Sequence, residues 1–516
     1  MSSQLTRRSF LTRTALAGAA LSLPARVYSQ AEGSNSDIRV AVVGFNGRGQ
    51  SHISAYLGMK GVRIVALCDV DQAVLDKGVA QLAAKNQVVT PYKDLRKLLD
   101  SGEVDAISIA TPNHWHALGA IWALQAGKDV YVEKPISHNV WEGRQLVKAT
   151  EKYKKIVQMG VQSRSAKGIA SVIDWMKKDQ PLGKLKWVRG LCYKRRPSIG
   201  LVSGEQAVPE TVDYDLWSGP APLVPSHRND PKYGTLHYAW HWIWNYGNGD
   251  LGNQGIHQMD IARRFTGEMA LAPKVWSIGG RLGYKDDGET PNSQIVFHDY
   301  EAAPLIFEVR GLPDKSESKE MDKYRGASVG VVAQYENGYV VAPDYQNAAV
   351  FDNEDKLIRR YGKPPMAKDM TESNPLPASE NPPTVEGAPA PKDEGHFDNF
   401  IACVRSRKSE NLNGKIIDGH ISSALCHTGN ISYLLGKKGT PAELREEVTS
   451  NKEALDSLNR LATHLEANGV DLNVEKLSLG QFLKMDPKTE KFIKNPAADK
   501  LLTRVYRKPY IVPEKV

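Results

Sequence analysis

At 516 residues the chain is too long for one ordinary core, so two domains are expected. Hydrophobic residues make up 41% and charged residues 24%, a globular balance, and no run of about 20 apolar residues is present to form a stable membrane span. The formal charge of +8 falls to +4 without Arg7, Arg8, Arg13 and Arg26 of the acid-free first 30 residues, and no basic stripe follows, which argues against a nucleic-acid partner.

In chain order, Thr6-Arg7-Arg8-Ser9-Phe10-Leu11 precedes a modest apolar stretch over 15–23. Twin arginines before such a stretch read as a Tat export signal occupying residues 1–30, with cleavage near Val27-Tyr28-Ser29. Such a signal implies passage through the Tat translocon as a folded protein, and a periplasmic or secreted destination. Residues 38–43 form an apolar strand, 44–49 a glycine-rich turn, and 52–57 a helix. A second strand over 62–68 closes on Asp69; strands at 105–110 and 130–132 alternate with helices at 116–126 and 141–155. That alternation predicts an α/β fold with a doubly wound parallel sheet of Rossmann type over 38–160. Residues 161–440 read as an α+β domain with a large open, mainly antiparallel sheet, using strands at 185–193, 294–297, 306–309 and 329–335. Residues 363–393, rich in Pro, Glu, Ala and Ser, read as an exposed excursion. Helices follow at 396–405 and 421–435, and 441–516 is a helical extension, with an amphipathic helix over 452–467 and an extended tail over 501–513. The cysteines, Cys68, Cys192, Cys403 and Cys426, lack CxxC spacing and read as packing thiols; no metal site is expected.

The turn Gly44-Phe45-Asn46-Gly47-Arg48-Gly49 lies between a strand and a helix, where glycines let backbone N–H groups approach a pyrophosphate. Its usual middle glycine is Asn46, with Gly47 next. About 20 residues on, Asp69 is placed to accept from a ribose 2′-hydroxyl and to repel a 2′-phosphate, which favours NAD over NADP.

Ala110-Thr111-Pro112-Asn113 with His116, then Ala126-Gly127-Lys128, then Glu133-Lys134-Pro135, resemble the signature series of the Gfo/Idh/MocA sugar and polyol dehydrogenases over about 38–436. The resemblance implies that Thr111, Pro112, Asn113, His116, Glu133 and Lys134 surround the cofactor, with Lys134 beside the nicotinamide and the substrate hydroxyl. An ammonium there can stabilise a developing alkoxide. Family members often carry an aspartate and, four residues on, a histidine facing the nicotinamide; here these are Asn253 and His257. Asparagine orients a hydroxyl but takes no proton, so His257 is left as the leading general base. The family also implies a homo-oligomer built through the open sheet.

An aromatic stretch (Tyr233, His237, Tyr238, Trp240, His241, Trp242, Trp244 and Tyr246) suits the faces of a sugar ring, and Tyr193, Lys194, Arg195 and Arg196 lie upstream. Tyr193, Arg195, Tyr238, Trp242 and His257 are the substrate candidates; His396, His420 and His427 lack zinc spacing. The expected function is NAD-dependent oxidation or reduction of a secondary hydroxyl on a sugar, polyol or glycoside. One alternative is a glycoside hydrolase that uses NAD for transient oxidation and elimination. Another is a non-catalytic secreted carbohydrate-binding protein. Because free NAD is scarce outside the cytoplasm, a tightly held, recycled cofactor is expected, covered by the second domain and the C-terminal extension.

Overall fold

The computed structural model describes residues 37–229, 234–362 and 395–516; the leader, Tyr233 and the 363–393 excursion lie outside them. The first domain is a six-stranded parallel sheet in the order β3-β2-β1-β4-β5-β6. Its strands are β1 (Ile38–Val43), β2 (Val62–Cys68), β3 (Thr90–Tyr92), β4 (Ala106–Ile109), β5 (Asp129–Val132) and β6 (Val157–Met159). Period-two alternation gives both faces a core: β1 sends Ile38, Val40 and Val42 to one side and Ala41 and Val43 to the other. The connecting helices are α1 (Gly49–Leu57), α2 (Gln72–Ala83), α3 (Leu95–Asp100), α4 (Asn113–Gln125) and α5 (Val140–Tyr153). Asp71, Asp94 and Asn139 cap α2, α3 and α5 through their side chains. By contrast α1 and α4, the two helices that open onto the cleft described below, start with no side-chain cap.

The second domain is built on a mixed, mainly antiparallel sheet of twelve strands. Its centre is β7 (Leu185–Tyr193), parallel to β10 (Leu305–Arg310) and antiparallel to β11 (Val329–Tyr335). The strands β8 (Lys274–Gly280) and β9 (Ser293–His298) extend it on the β10 side. Its inner face packs on α6 (Lys167–Asp179), α9 (Gly255–Thr266) and α11 (Ile416–Leu434); in chain order α7 (Tyr214–Ser218) and α8 (Gly249–Asn253) precede α9, and α10 (His396–Ser406) precedes α11. The outer face of β8–β10, expected to stand open for self-association, is covered by the chain's own α12 (Pro441–Val448) and α13 (Lys452–Ala467). Leu444, Leu458, Leu461 and Leu465 bury Trp276, Ile278, Phe297 and Ile306 there. Sequence-contiguous domain boundaries also give way. Helix α10 puts Phe400, Ile401 and Val404 into the Rossmann core, and Tyr510 and Val512 of the tail enter its other face.

Cys68, Cys192, Cys403 and Cys426 are all buried, and no disulfide joins them. No helix among the described residues is long and apolar enough to cross a membrane.

Candidate active site

Strand order reverses between β1 and β4, and a parallel sheet opens a crevice at the carboxyl ends of its strands at that point. A cleft of about 380 Å³ lies there, walled by the turns after β1, β2, β4 and β5 and, from the second domain, by residues between Val212 and Asn253. Gly44 takes φ +74°, and a Cβ on it would stand 2.8 Å from the backbone of Thr111; a Cβ on Gly49 would stand 2.3 Å from the Gly44 carbonyl oxygen. The turn is therefore closed to side chains from behind, while Asn46, Gly47 and Arg48 are exposed toward the cleft. The uncapped N-termini of α1 and α4 face the same space, and Thr111 Oγ1 and Asn113 Oδ1 are buried there without partners. Donors, a helix dipole and orphaned polar atoms around an elongated cleft suit a dinucleotide.

Asp69 accepts from the Phe45 N–H (3.1 Å) and the Asp71 N–H (3.2 Å). Burial at the cleft wall pushes its carboxyl up to about 6 against those two bonds. Asp71, which the sequence reading passed over, lines the cleft too and holds His237 of the second domain at 3.0 Å. Glu133 works as a buried anchor. It accepts from Arg48 Nε (2.9 Å) and the Lys134 N–H (3.2 Å), and stands 3.1 Å from His52 Nε2. Its burial opposes ionisation, yet the hydrogen bond from His52 and the charges of Arg48 and Lys134 hold it well below the usual range. His116 fastens two loops, with Nδ1 2.6 Å from the Pro135 carbonyl oxygen and Nε2 2.8 Å from that of Thr111.

At the closed end, Lys134 Nζ donates to the Asn253 carbonyl (2.9 Å) and Oδ1 (3.2 Å). Burial lowers the Lys134 pKa, with Glu133 opposing the shift and Arg48 and Lys194 adding to it. His241 lines this end beside Tyr238 and Trp240, its ring stacked on Trp240 at 3.6 Å. Its Nδ1 donates to the Tyr238 carbonyl (2.6 Å), which fixes the tautomer and leaves Nε2 a bare acceptor. Burial lowers His241 to about 3, so the ring is neutral at physiological pH. His257 lies near this end, within reach of the charges of Lys134, Glu133 and Arg48. It packs on Tyr345 at 4.8 Å with a buried, unpartnered Nδ1, and burial followed by the charge of Lys134 lowers it to about 3.

Three substrate candidates are corrected. Tyr193 lies on the outer face of β7, bonded to Glu308 under the Arg310 guanidinium, and Arg195 is exposed with no role in the cleft. The inward positions are their neighbours. Arg196 makes a paired 2.7 Å bridge to buried Asp250, and Lys194 Nζ donates to Gln254 Oε1 at 2.8 Å. Strand alternation decided this, and the sequence holds no signal for which parity faces the site. Trp242 is a core residue, packed with Ile199 and Ala239 beneath Arg196. His396, His420 and His427 are bonded into helix packing by Met159, Glu490 and Asn248.

Comparison with known proteins agrees with this geometry. Residues 38–161 match the family model GFO_IDH_MocA, an oxidoreductase family with an NAD-binding Rossmann fold. Residues 188–290 match GFO_IDH_MocA_C2, the C-terminal alpha/beta domain of an oxidoreductase family. A "Glycosyl hydrolase family 109 protein" of Shewanella sp. (strain W3-18-1) is 37% identical over 127 residues, 24% of this chain and 28% of that relative's length. Among solved structures, the WlbA dehydrogenase of Bordetella pertussis, in complex with NADH and UDP-GlcNAcA, superposes with a TM-score of 0.51 at 18% identity, covering 75% of this chain and 94% of that one. A levoglucosan dehydrogenase in complex with NADH and levoglucosan gives a TM-score of 0.51 at 16% identity over 76% and 95%. These two likenesses establish the shared fold.

Proposed function

Because the chain belongs to the Gfo/Idh/MocA family of NAD-binding oxidoreductases, we propose that it holds NAD(H) in the Rossmann cleft and acts on a secondary hydroxyl of a sugar, polyol or glycoside. The observation that carries the reading is the closed end of the cleft, where a half-buried ammonium, Lys134, is aimed by Asn253 beside a neutral histidine of fixed tautomer. Bound NAD supplies the hydride acceptor or donor, which no side chain can provide. Asn253 fixes the Lys134 ammonium where it can donate to the substrate oxygen and stabilise negative charge on it. His241 Nε2 takes or returns the hydroxyl proton. The Tyr238 and Trp240 rings present flat surfaces for the C–H faces of a carbohydrate.

A second reading is favoured by the relatives named glycosyl hydrolase family 109, although the chain spans only 28% of their length. In it the same groups oxidise a glycoside hydroxyl, eliminate the aglycone and reduce the sugar again, with no net redox change. The test is a panel of free sugars and aryl glycosides, with bound nicotinamide absorbance and released aryl alcohol followed together. Net reduction of the nicotinamide by a free sugar supports the dehydrogenase. Aryl alcohol without net redox supports the hydrolase. Neither signal from any member would leave a binding protein.

We also propose that Arg7 and Arg8 direct folded export, and that NAD travels with the protein without exchanging. This fits the cover that Val212, Leu216, Trp217 and His237 form over the cleft. Nucleotide released on denaturing the mature protein is the expected result; an empty protein would refute it.

A further inference from the structure

The cover over the cleft is held in two ways. Its own backbone docks on the first domain: the Gln72 N–H donates to the Thr211 carbonyl (2.9 Å), and the Asp213 N–H to that of Val70 (3.0 Å). Trp115 Nε1 donates to the carbonyls of Leu216 and Trp217 at 3.0 and 3.1 Å. These bonds seat residues 211–217, including α7, across the mouth of the cleft, with Val212, Leu216 and Trp217 facing into it. A nucleotide bound in the cleft would lie against this segment.

The second hold comes from the far end of the chain. The tail runs back along the Rossmann domain after residue 500, tied at successive points. Leu502 accepts from the Trp141 N–H (2.9 Å), Tyr506 donates to Glu142 (3.0 Å), and Gln145 Nε2 donates to the Glu514 carbonyl (2.9 Å). The ring of Tyr510 is buried against Trp115 at 5.6 Å. From this anchored strap two side chains reach α7 at one residue. Arg507 forms an ion pair with the Asp215 carboxylate and donates to its carbonyl (2.8 Å), and Tyr510 Oη donates to Asp215 Oδ2 (2.6 Å). Arg504 adds a bond to the Asn245 carbonyl (2.7 Å), farther along the same connection.

We infer that the C-terminal strap is a latch: Arg507 and Tyr510, gripping Asp215, hold α7 down over the cleft and set how fast the nucleotide exchanges. The inference rests on the nucleotide reading above. Arg507, Tyr510 and Asp215 are positioning residues, and none of them is asked to touch substrate. Because the strap is anchored independently at Trp141, Glu142 and Gln145, losing the grip on Asp215 leaves the tail in place and α7 held only by its own backbone bonds and Trp115.

The test uses the full chain, with the nucleotide it carries, in Arg507→Ala, Tyr510→Phe, Asp215→Asn and Arg507→Lys forms. Exchange of bound nucleotide into excess isotopically labelled NAD is followed by mass spectrometry, with melting midpoints as a fold control. The first three variants are expected to exchange on the order of tenfold faster, the effect of losing one or two hydrogen bonds to a charged group. Arg507→Lys, which keeps the charge, is expected to restore part of the parent's retention. A parent that holds nucleotide while all four variants exchange at the parent's rate would overturn the latch alone. A parent that carries no nucleotide and takes up none of the label would overturn the nucleotide reading and the latch with it.

Discussion

Asp69 illustrates how a binding residue can cost the empty fold. Its carboxyl rises from 3.8 to about 6 because the cleft wall desolvates it faster than two backbone N–H bonds compensate. A shift of about 2 units amounts to roughly 3 kcal/mol against the charged form, and water in the open cleft reduces this to about half. An acid whose folded pKa is raised binds more protons folded than unfolded. Stability of the nucleotide-free protein should therefore fall as pH rises from about 4 through about 6. Asp69→Asn removes this slope and should stabilise the empty protein at pH 7 by about 1 kcal/mol. The gain is net of one weakened bond to the Phe45 or Asp71 N–H. The same change removes the ribose acceptor and the repulsion of a 2′-phosphate, so NAD affinity should fall and the preference over NADP should narrow. Urea unfolding of parent and variant at several pH values, with titration of both nucleotides, measures both effects. Parallel pH profiles for the two proteins would show that Asp69 is not the desolvated group. Unchanged affinity for both nucleotides would remove it from the ribose.

Lys134→Ala should lower turnover by about 10²–10⁴-fold with nucleotide still bound, and Lys134→Arg should rescue it only in part, because a guanidinium keeps the charge but not the compact ammonium that Asn253 aims at the substrate oxygen; steady-state rates and nucleotide content check both. His241→Ala should reduce kcat on the order of 10²-fold, whereas His257→Ala should act mainly on the melting midpoint; the reverse pattern would return the base role to His257. Burial lowers His114, His241, His257, His298, His427 and His464 each to about 3. Their neutral state contributes stability that is complete above about pH 6.5 and is lost as pH falls toward 3, so unfolding should set in steeply on acidification, and a flat melting midpoint from pH 7 to 4 would refute this.

Much of the first domain was legible because its signals are local. The runs at 38–43 and 62–68 are rich in β-branched residues and mostly buried, and the structure returns both strands at those bounds. The turn at Gly44 and the acid at Asp69 meet because they end the adjacent parallel strands β1 and β2, a pairing that the strand–turn–helix–strand order already implies. Helix 452–467 was readable for the same reason, as its apolar stripe repeats at the helical period.

What depended on which face, or on a distant partner, was decided by tertiary structure. Alternation along β7 is visible, but only packing shows that Cys192 faces the inner core and Tyr193 the outer, which passes the inward positions to Lys194 and Arg196. The aromatic stretch is visible in the sequence only as a group. The 3-10 turn over Ala239–Trp242 is what sends Trp240 and His241 to the cleft and Trp242 to the core. The grip of Arg507 and Tyr510 on Asp215 spans almost 300 residues of chain, and such a contact leaves no periodic trace. Local sequence determines where the backbone bonds to itself; burial of one element against another decides which side chains share a site.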